Sequence, residues 1–138
     1  MAEHKTISTA NGIDIDELQE PRITIRYTDK VTIATFTNKR VLEEWDIQML
    51  QELIMAVIEQ SRRIKLILDF RNVQFISSSA GLGALVRISK KVCECEGQLI
   101  LCNINRKVHE IFEITWLTKI LDIQPDLESA IENLSAAD

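Results

Sequence analysis

No stretch of the sequence approaches the ~20 consecutive apolar residues that a membrane-spanning helix needs, so no such helix is expected. Met1-Ala2-Glu3-His4-Lys5-Thr6 lacks the apolar core of a secretory signal, and a cytoplasmic protein is expected. Basic excess is also missing: 16 Lys and Arg stand against 21 Asp and Glu, a net charge of −5. That balance argues against direct nucleic-acid binding and against an anionic membrane surface. Cys93, Cys95 and Cys102 are odd in number, so one stays unpaired in any monomer. Cys93-Glu94-Cys95 has one intervening residue, which fits neither a zinc knuckle nor a redox Cys-x-x-Cys, so reduced thiols and no metal site are expected. There is no G-x-x-x-x-G-K-[ST], and Gly81-Leu82-Gly83 lacks the third glycine of a dinucleotide site. No Gly-x-Ser-x-Gly elbow occurs. His4 and His109 adjoin no serine run in sequence, so no Ser–His pair is expected, and with neither glycine motif present no cofactor is expected.

What is present suits one domain: 138 residues, 46% hydrophobic and 27% charged. Residues 1–21 are polar, with an Asn11-Gly12 turn signal and scattered Asp14, Asp16, Glu17 and Glu20, and read as a flexible leader that Pro21 ends. Ile23, Ile25 and Tyr27 then alternate with Arg22, Thr24 and Arg26 as in a half-buried strand. Asp29-Lys30 would turn into a second strand, Val31–Phe36, rich in β-branched residues. After a polar connection, Thr37-Asn38-Lys39-Arg40, a helix is expected from Glu43 to about Gln60, with Trp45, Met49, Leu53, Ala56 and Val57 on one apolar face. Ser61-Arg62-Arg63 would end it, with basic residues at the negative end of its dipole. Further on come a strand at Ile64–Phe70, a helix from Ser79 to about Glu96 stopped by Gly97, and a strand at Leu99–Cys102. A helix at Arg106–Ile114, a short strand at Ile120–Ile123 and a last helix capped by Asp126 complete the order β-β-α-β-α-β-α-β-α. Strand–helix alternation after an opening hairpin implies an α/β domain whose sheet is mixed but mostly parallel, with about four helices.

The stretch Leu66–Val86 organises the rest. Leu66–Phe70 is almost continuously apolar, as in a strand buried on both faces. Ser77-Ser78-Ser79 follows, and then Leu82, Leu85, Val86 and Ile88 recur at helical spacing. A strand that turns through serines into a helix leaves free backbone N–H groups and the positive end of a dipole at that turn. A hydroxyl there can cap the helix, accept a phosphoryl group, or do both. The small residues Gly81 and Gly83 allow close packing of the helix on the sheet or on a partner. Asp69 either caps the turn at Arg71-Asn72 or shapes a partner surface. Arg87, Lys90 and Lys91 read as the solvated face of the helix, next to the serines.

Asp69, Val73-x-Phe75-Ile76, the serines and Ala80-Gly81-Leu82-Gly83-Ala84-Leu85 together resemble the signature of the STAS domain, and more narrowly that of bacterial anti-sigma factor antagonists. The resemblance runs over about residues 22–134 and implies a STAS domain at 22–138. It implies a protein without catalytic activity that binds an anti-sigma factor, itself a serine kinase, and so frees a sigma factor for transcription. Ser77, Ser78, Ser79, Ala80, Gly81, Gly83, Ala84 and Arg87 are then the partner-binding residues. Phosphorylation of a serine by the kinase, reversed by a phosphatase, is the implied switch. Counting back from Gly81-Leu82-Gly83 makes Ser79 the acceptor, whereas counting forward from Phe75-Ile76 makes it Ser78; the helix start favours Ser79. The family's usual aspartate beside the acceptor is a serine here, able to hydrogen-bond but not to act as a carboxylate. A structural STAS module in a larger assembly, never phosphorylated, is the alternative.

Overall fold

The computed structural model describes residues 23–28, 30–37, 44–74, 76 and 79–136. The leader, Asp29, the connection at 38–40, Phe75, Ser77 and Ser78 lie outside the described residues. Five strands form one sheet in the order of the chain: β1 (Ile23–Tyr27), β2 (Thr32–Phe36), β3 (Lys65–Asp69), β4 (Gln98–Cys102) and β5 (Asp122–Gln124). β1 pairs antiparallel with β2, and the three remaining pairings are parallel. Helices α1 (Glu44–Glu59), α2 (Ser79–Glu94), α3 (Arg106–Ile114) and α4 (Leu127–Ala136) connect or follow the strands.

β3 lies in the middle of the sheet and its side chains alternate between two cores. Leu66, Leu68 and Phe70 join Ala34, Phe36, Ile54, Ile58, Leu85, Ile88 and Phe112 in the larger one, which α1, α2 and α3 cover. Ile67 joins Val31, Ile33, Ile100 and Cys102 under Ala130 and Leu134 of α4. Phe70 stands edge-on to both Phe36 and Phe112, with centroids 5.0 and 6.3 Å away. Lys65 Nζ donates to the Leu134 carbonyl at 3.0 Å, a cation at the carbonyl end of α4. At the other end of α4 the Ser129 N–H donates to Asp126 Oδ1 at 2.8 Å, as expected of its cap, and holds that carboxyl below its ordinary pKa.

Four expectations shift. The buried face of α1 is Ile54, Val57 and Ile58, while Met49, Leu53 and Ala56 face outward. This helix is apolar on more than one face, so periodicity alone does not choose between them. No basic residue stands in its last turn; Arg62 and Arg63 reach Glu96 instead, at 3.6 and 3.7 Å. β5 begins two residues later than expected, because Leu117–Lys119 forms a 3₁₀ turn ending at Ile120. Helix α2 stops at Glu94. Glu96 takes the left-handed conformation (φ 62°), and a Schellman pair follows, Gly97 N–H to the Val92 carbonyl (2.8 Å) and Glu96 N–H to that of Cys93 (3.0 Å). Gly97 serves a different need, since a Cβ there would collide with the Ile64 carbonyl oxygen and lie 2.9 Å from Ile64 Cγ2.

Candidate functional site

The loop between β3 and α2 buries Val73 and Ile76 in the larger core and is further held by polar side chains. Asp69 is fully buried at the end of β3, where a bare carboxylate would be costly. Its Oδ1 accepts from the Arg71 N–H (3.0 Å) and from Asn103 Nδ2 (2.9 Å), and its Oδ2 from Arg71 Nε (2.9 Å). The first of these is an Asx turn that bends the chain out of the sheet. Of the two roles open to Asp69, these bonds show the turn. Asn72 Nδ2 donates to the Phe36 carbonyl at 2.9 Å. Asn105 Nδ2 donates to the carbonyls of Val73 (3.2 Å) and Gln74 (3.0 Å), while its Oδ1 accepts from Val108 N–H (2.8 Å) and caps α3. Cys102 sits beside Asp69 across the β3–β4 pairing; burial first, and then the Asp69 charge, push its thiol up to about 12.

Beyond this frame the chain reaches Ser79, the first residue of α2 and exposed. It stands in the first helical turn, at the positive end of the helix dipole, and that turn carries no acidic residue. Gly83 and Arg87 continue the outward stripe at four-residue spacing. Gly81 is buried, and Ala84 is 1% exposed in the larger core with Leu85 and Ile88. Of the two roles open to the small residues, Gly81 and Ala84 take the packing one, bringing α2 close to the sheet. Of the other residues expected to bind a partner, Ser79 and Arg87 are exposed and Gly83 is half-buried; Ser77 and Ser78 lie outside the described residues, as does the Ala80 side chain. Arg87 Nε donates to Gln51 Oε1 at 3.1 Å, and Lys91 Nζ meets Glu59 Oε2 at 3.0 Å. The hydrogen bond and charge of Glu59 raise the Lys91 pKa. These two contacts tie the outer edge of α2 to α1. His109 pairs with Glu113 along α3 at 3.6 Å.

Asn72, Asn103, Asn105 and Gln51 were not marked by the sequence pattern. Each acts across 31 to 36 residues of chain, beyond the reach of periodicity. The Asn103-x-Asn105 spacing at the end of an apolar run was their only local sign.

A five-stranded mixed sheet, with a helix that starts on Ser79 and small residues after its central strand, defines the class. The STAS domain profile matches residues 45–130, more than half of the chain, and the chain belongs to that family. Its relatives carry the antagonist name. A protein of Bordetella bronchiseptica described as a candidate anti-sigma factor antagonist, BtrV, is 27% identical over 109 residues, covering 79% of this chain and 90% of that one. An anti-sigma factor antagonist STAS protein of Planctomyces limnophilus has the same fold, with a TM-score of 0.74 at 22% identity over 82% of this chain and 97% of that one. The anti-sigma factor antagonist SpoIIAA, solved in its unphosphorylated form, superposes with a TM-score of 0.68 at 17% identity, over 83% and 96%. Among the described residues no helix is long and apolar enough to cross a membrane.

Proposed function

We propose that this protein is a phosphorylation-controlled anti-sigma factor antagonist. It binds an anti-sigma factor through the outward stripe Ser79–Gly83–Arg87 and the adjoining serines, and so frees a sigma factor for transcription. The observation that carries this reading is the exposed Ser79 hydroxyl at the start of α2, in a first turn free of acidic side chains. Catalysis belongs to the partner, a serine kinase. The Ser79 oxygen attacks the γ-phosphorus of ATP, the bond to the bridging oxygen breaks, ADP leaves and the hydroxyl proton is released. A phosphatase restores the hydroxyl.

The electrostatics favour an off-switch. Phosphoserine brings about −1.5 to −2 charge at neutral pH. The helix N-terminus accommodates that charge within the protein, so the fold survives. A partner that had packed against a hydroxyl must instead bury a dianion. If that charge goes unpaired at a cost of ~3 kcal/mol, affinity falls roughly a hundredfold. Titration calorimetry against the cognate anti-sigma kinase tests this. Micromolar or tighter binding is expected, weakened by Ser79→Asp and by Arg87→Glu and kept by Ser79→Ala. Unchanged affinity in all three variants would place the partner elsewhere and favour the structural module.

A further inference from the structure

We propose that this protein pairs with a second copy of itself through an apolar patch of Ile114, Trp116 and Ile120, at the end of the sheet opposite Ser79. The patch follows from the way α3 ends. Trp116 N–H donates to the Glu113 carbonyl (3.2 Å), Lys119 N–H to that of Trp116 (3.1 Å) and Leu121 N–H to that of Leu117 (2.8 Å). Leu117 and Leu121 are buried under this tight turn, and three other apolar side chains are left outside it. Ile114 is 76% exposed, Trp116 68% and Ile120 57%. They present roughly 400 Å², within the ~300–600 Å² of the largest apolar patch on a typical monomer, which is often functional. Trp116 also takes the left-handed conformation (φ 66°, ψ 16°), where glycine fits more easily than an aromatic residue. The fold gains little packing from a ring so exposed, so the use of that ring lies outside the chain.

A second copy suits this surface for three reasons. Lys119 and Asp122, both exposed, flank Ile120 with opposite charges, and neither takes part in an ion pair among the described residues. A two-fold axis beside Ile120 brings each Lys119 to the other copy's Asp122, so the surface is complementary to itself. Two copies of the patch supply about 800 Å² of apolar surface, close to the apolar share of a standard interface of about 1,600 Å². Beside Ile120 a cleft of about 130 Å³ opens among Val92 and Cys93 of α2, Gly97, Leu99 and Leu121. Its size is near the ~150 Å³ that takes a benzene ring, so an aromatic ring can enter it from across the axis. The chain before Ile23 joins the sheet at the far edge from β5, beside Phe36. α3 runs back from the carboxyl end of β4, so the patch lies at the amino end of the parallel strands, whereas α2 starts from the carboxyl end of β3. Two copies joined at the patch therefore leave both Ser79 residues free.

Sedimentation equilibrium of the full chain, from micromolar to hundreds of micromolar, tests the pairing. A concentration-dependent dimer is expected. Trp116→Gly removes the ring and suits the left-handed backbone, so it should stay folded and weaken the dimer roughly tenfold or more. Lys119→Asp and Asp122→Lys each set like charges across the axis and should weaken it roughly fivefold. Mixing these two variants restores both ion pairs in the mixed dimer, which should regain the native affinity. A monomer at every concentration would overturn the second copy as the occupant. A dimer that all three variants leave intact would overturn this surface, and weakened variants that mixing does not rescue would overturn the two-fold pairing.

Discussion

The two ends of α2 are built in opposite ways. At the C-terminal end everything serves closure. The Schellman pair satisfies the last carbonyls, Arg63 N–H donates to the Cys95 carbonyl (2.9 Å), and Gln98 N–H donates to that of Ile64 (2.8 Å). Gly97 packs against Ile64 so closely that a methyl group has no room. At the N-terminal end the helix starts on an exposed serine, after a loop whose Val73 and Ile76 are buried in the core and whose backbone is held by asparagine and aspartate side chains. A switch needs a rigid element that presents one accessible group. The closed end supplies rigidity and the open end supplies access.

If the division is real, changes to the helix body and its closed end should alter stability without moving the switch, and changes at the open end should do the reverse. The largest effect is expected from Ala84→Arg, which buries an unpaired cation between α2 and the sheet. A loss of about 4 kcal/mol or more, seen by chemical denaturation, would remove the shared helix altogether. Gly97→Val comes next, with about 2–3 kcal/mol lost to the collision with Ile64. At a temperature where it remains folded, its phosphorylation should match the native protein.

Cys102 provides a pH test of the frame behind the loop. Its folded pKa of about 12 lies above the ordinary 9.0. The unfolded chain therefore releases this proton first, so the stabilisation is complete below pH 9 and is lost as pH rises toward 12. At pH 10.5 the native protein should have lost about 2 kcal/mol relative to pH 8 through this thiol. The loss is measured as the difference from Cys102→Ala, and equal pH profiles for the two proteins would show that the thiol is not held neutral by burial. The smallest stability effect is expected at the open end. Ser79→Ala should change stability by less than about 1 kcal/mol, a helix-start hydroxyl and nothing more, while removing the phosphoacceptor entirely.

Most of the architecture was legible from periodicity. The apolar run at Leu66–Phe70 and the helical spacing of Leu82, Leu85 and Ile88 mark the strand and the helix that the structure shows. Hydrophobic pattern was less informative where a segment is apolar on several sides. Met49 and Leu53 of α1 looked like core residues and are exposed, because tertiary packing selected the stripe through Ile54 and Ile58. Small residues were ambiguous for a related reason: an alanine suits a packed helix as well as a partner surface, and only the position of the sheet assigns Ala84 to the core. The asparagines that hold the serine loop were hidden because their partners are remote in sequence. Asn105 is the clearest case, joining the cap of α3 to the carbonyls of Val73 and Gln74.

The central claim is that the open end of α2 is a phosphoacceptor. It is tested most directly by incubating the protein with its cognate anti-sigma kinase and ATP and locating the phosphate by peptide mass spectrometry. The account predicts one phosphate per chain, on Ser79, absent from Ser79→Ala and unaffected in Gly97→Ala at a temperature where that variant is folded. A phosphate on Ser78 would move the acceptor back by one residue. No phosphate on either serine, with Ser78→Ala and Ser79→Ala as active as the native chain, would contradict the account and leave the serines as a helix start alone.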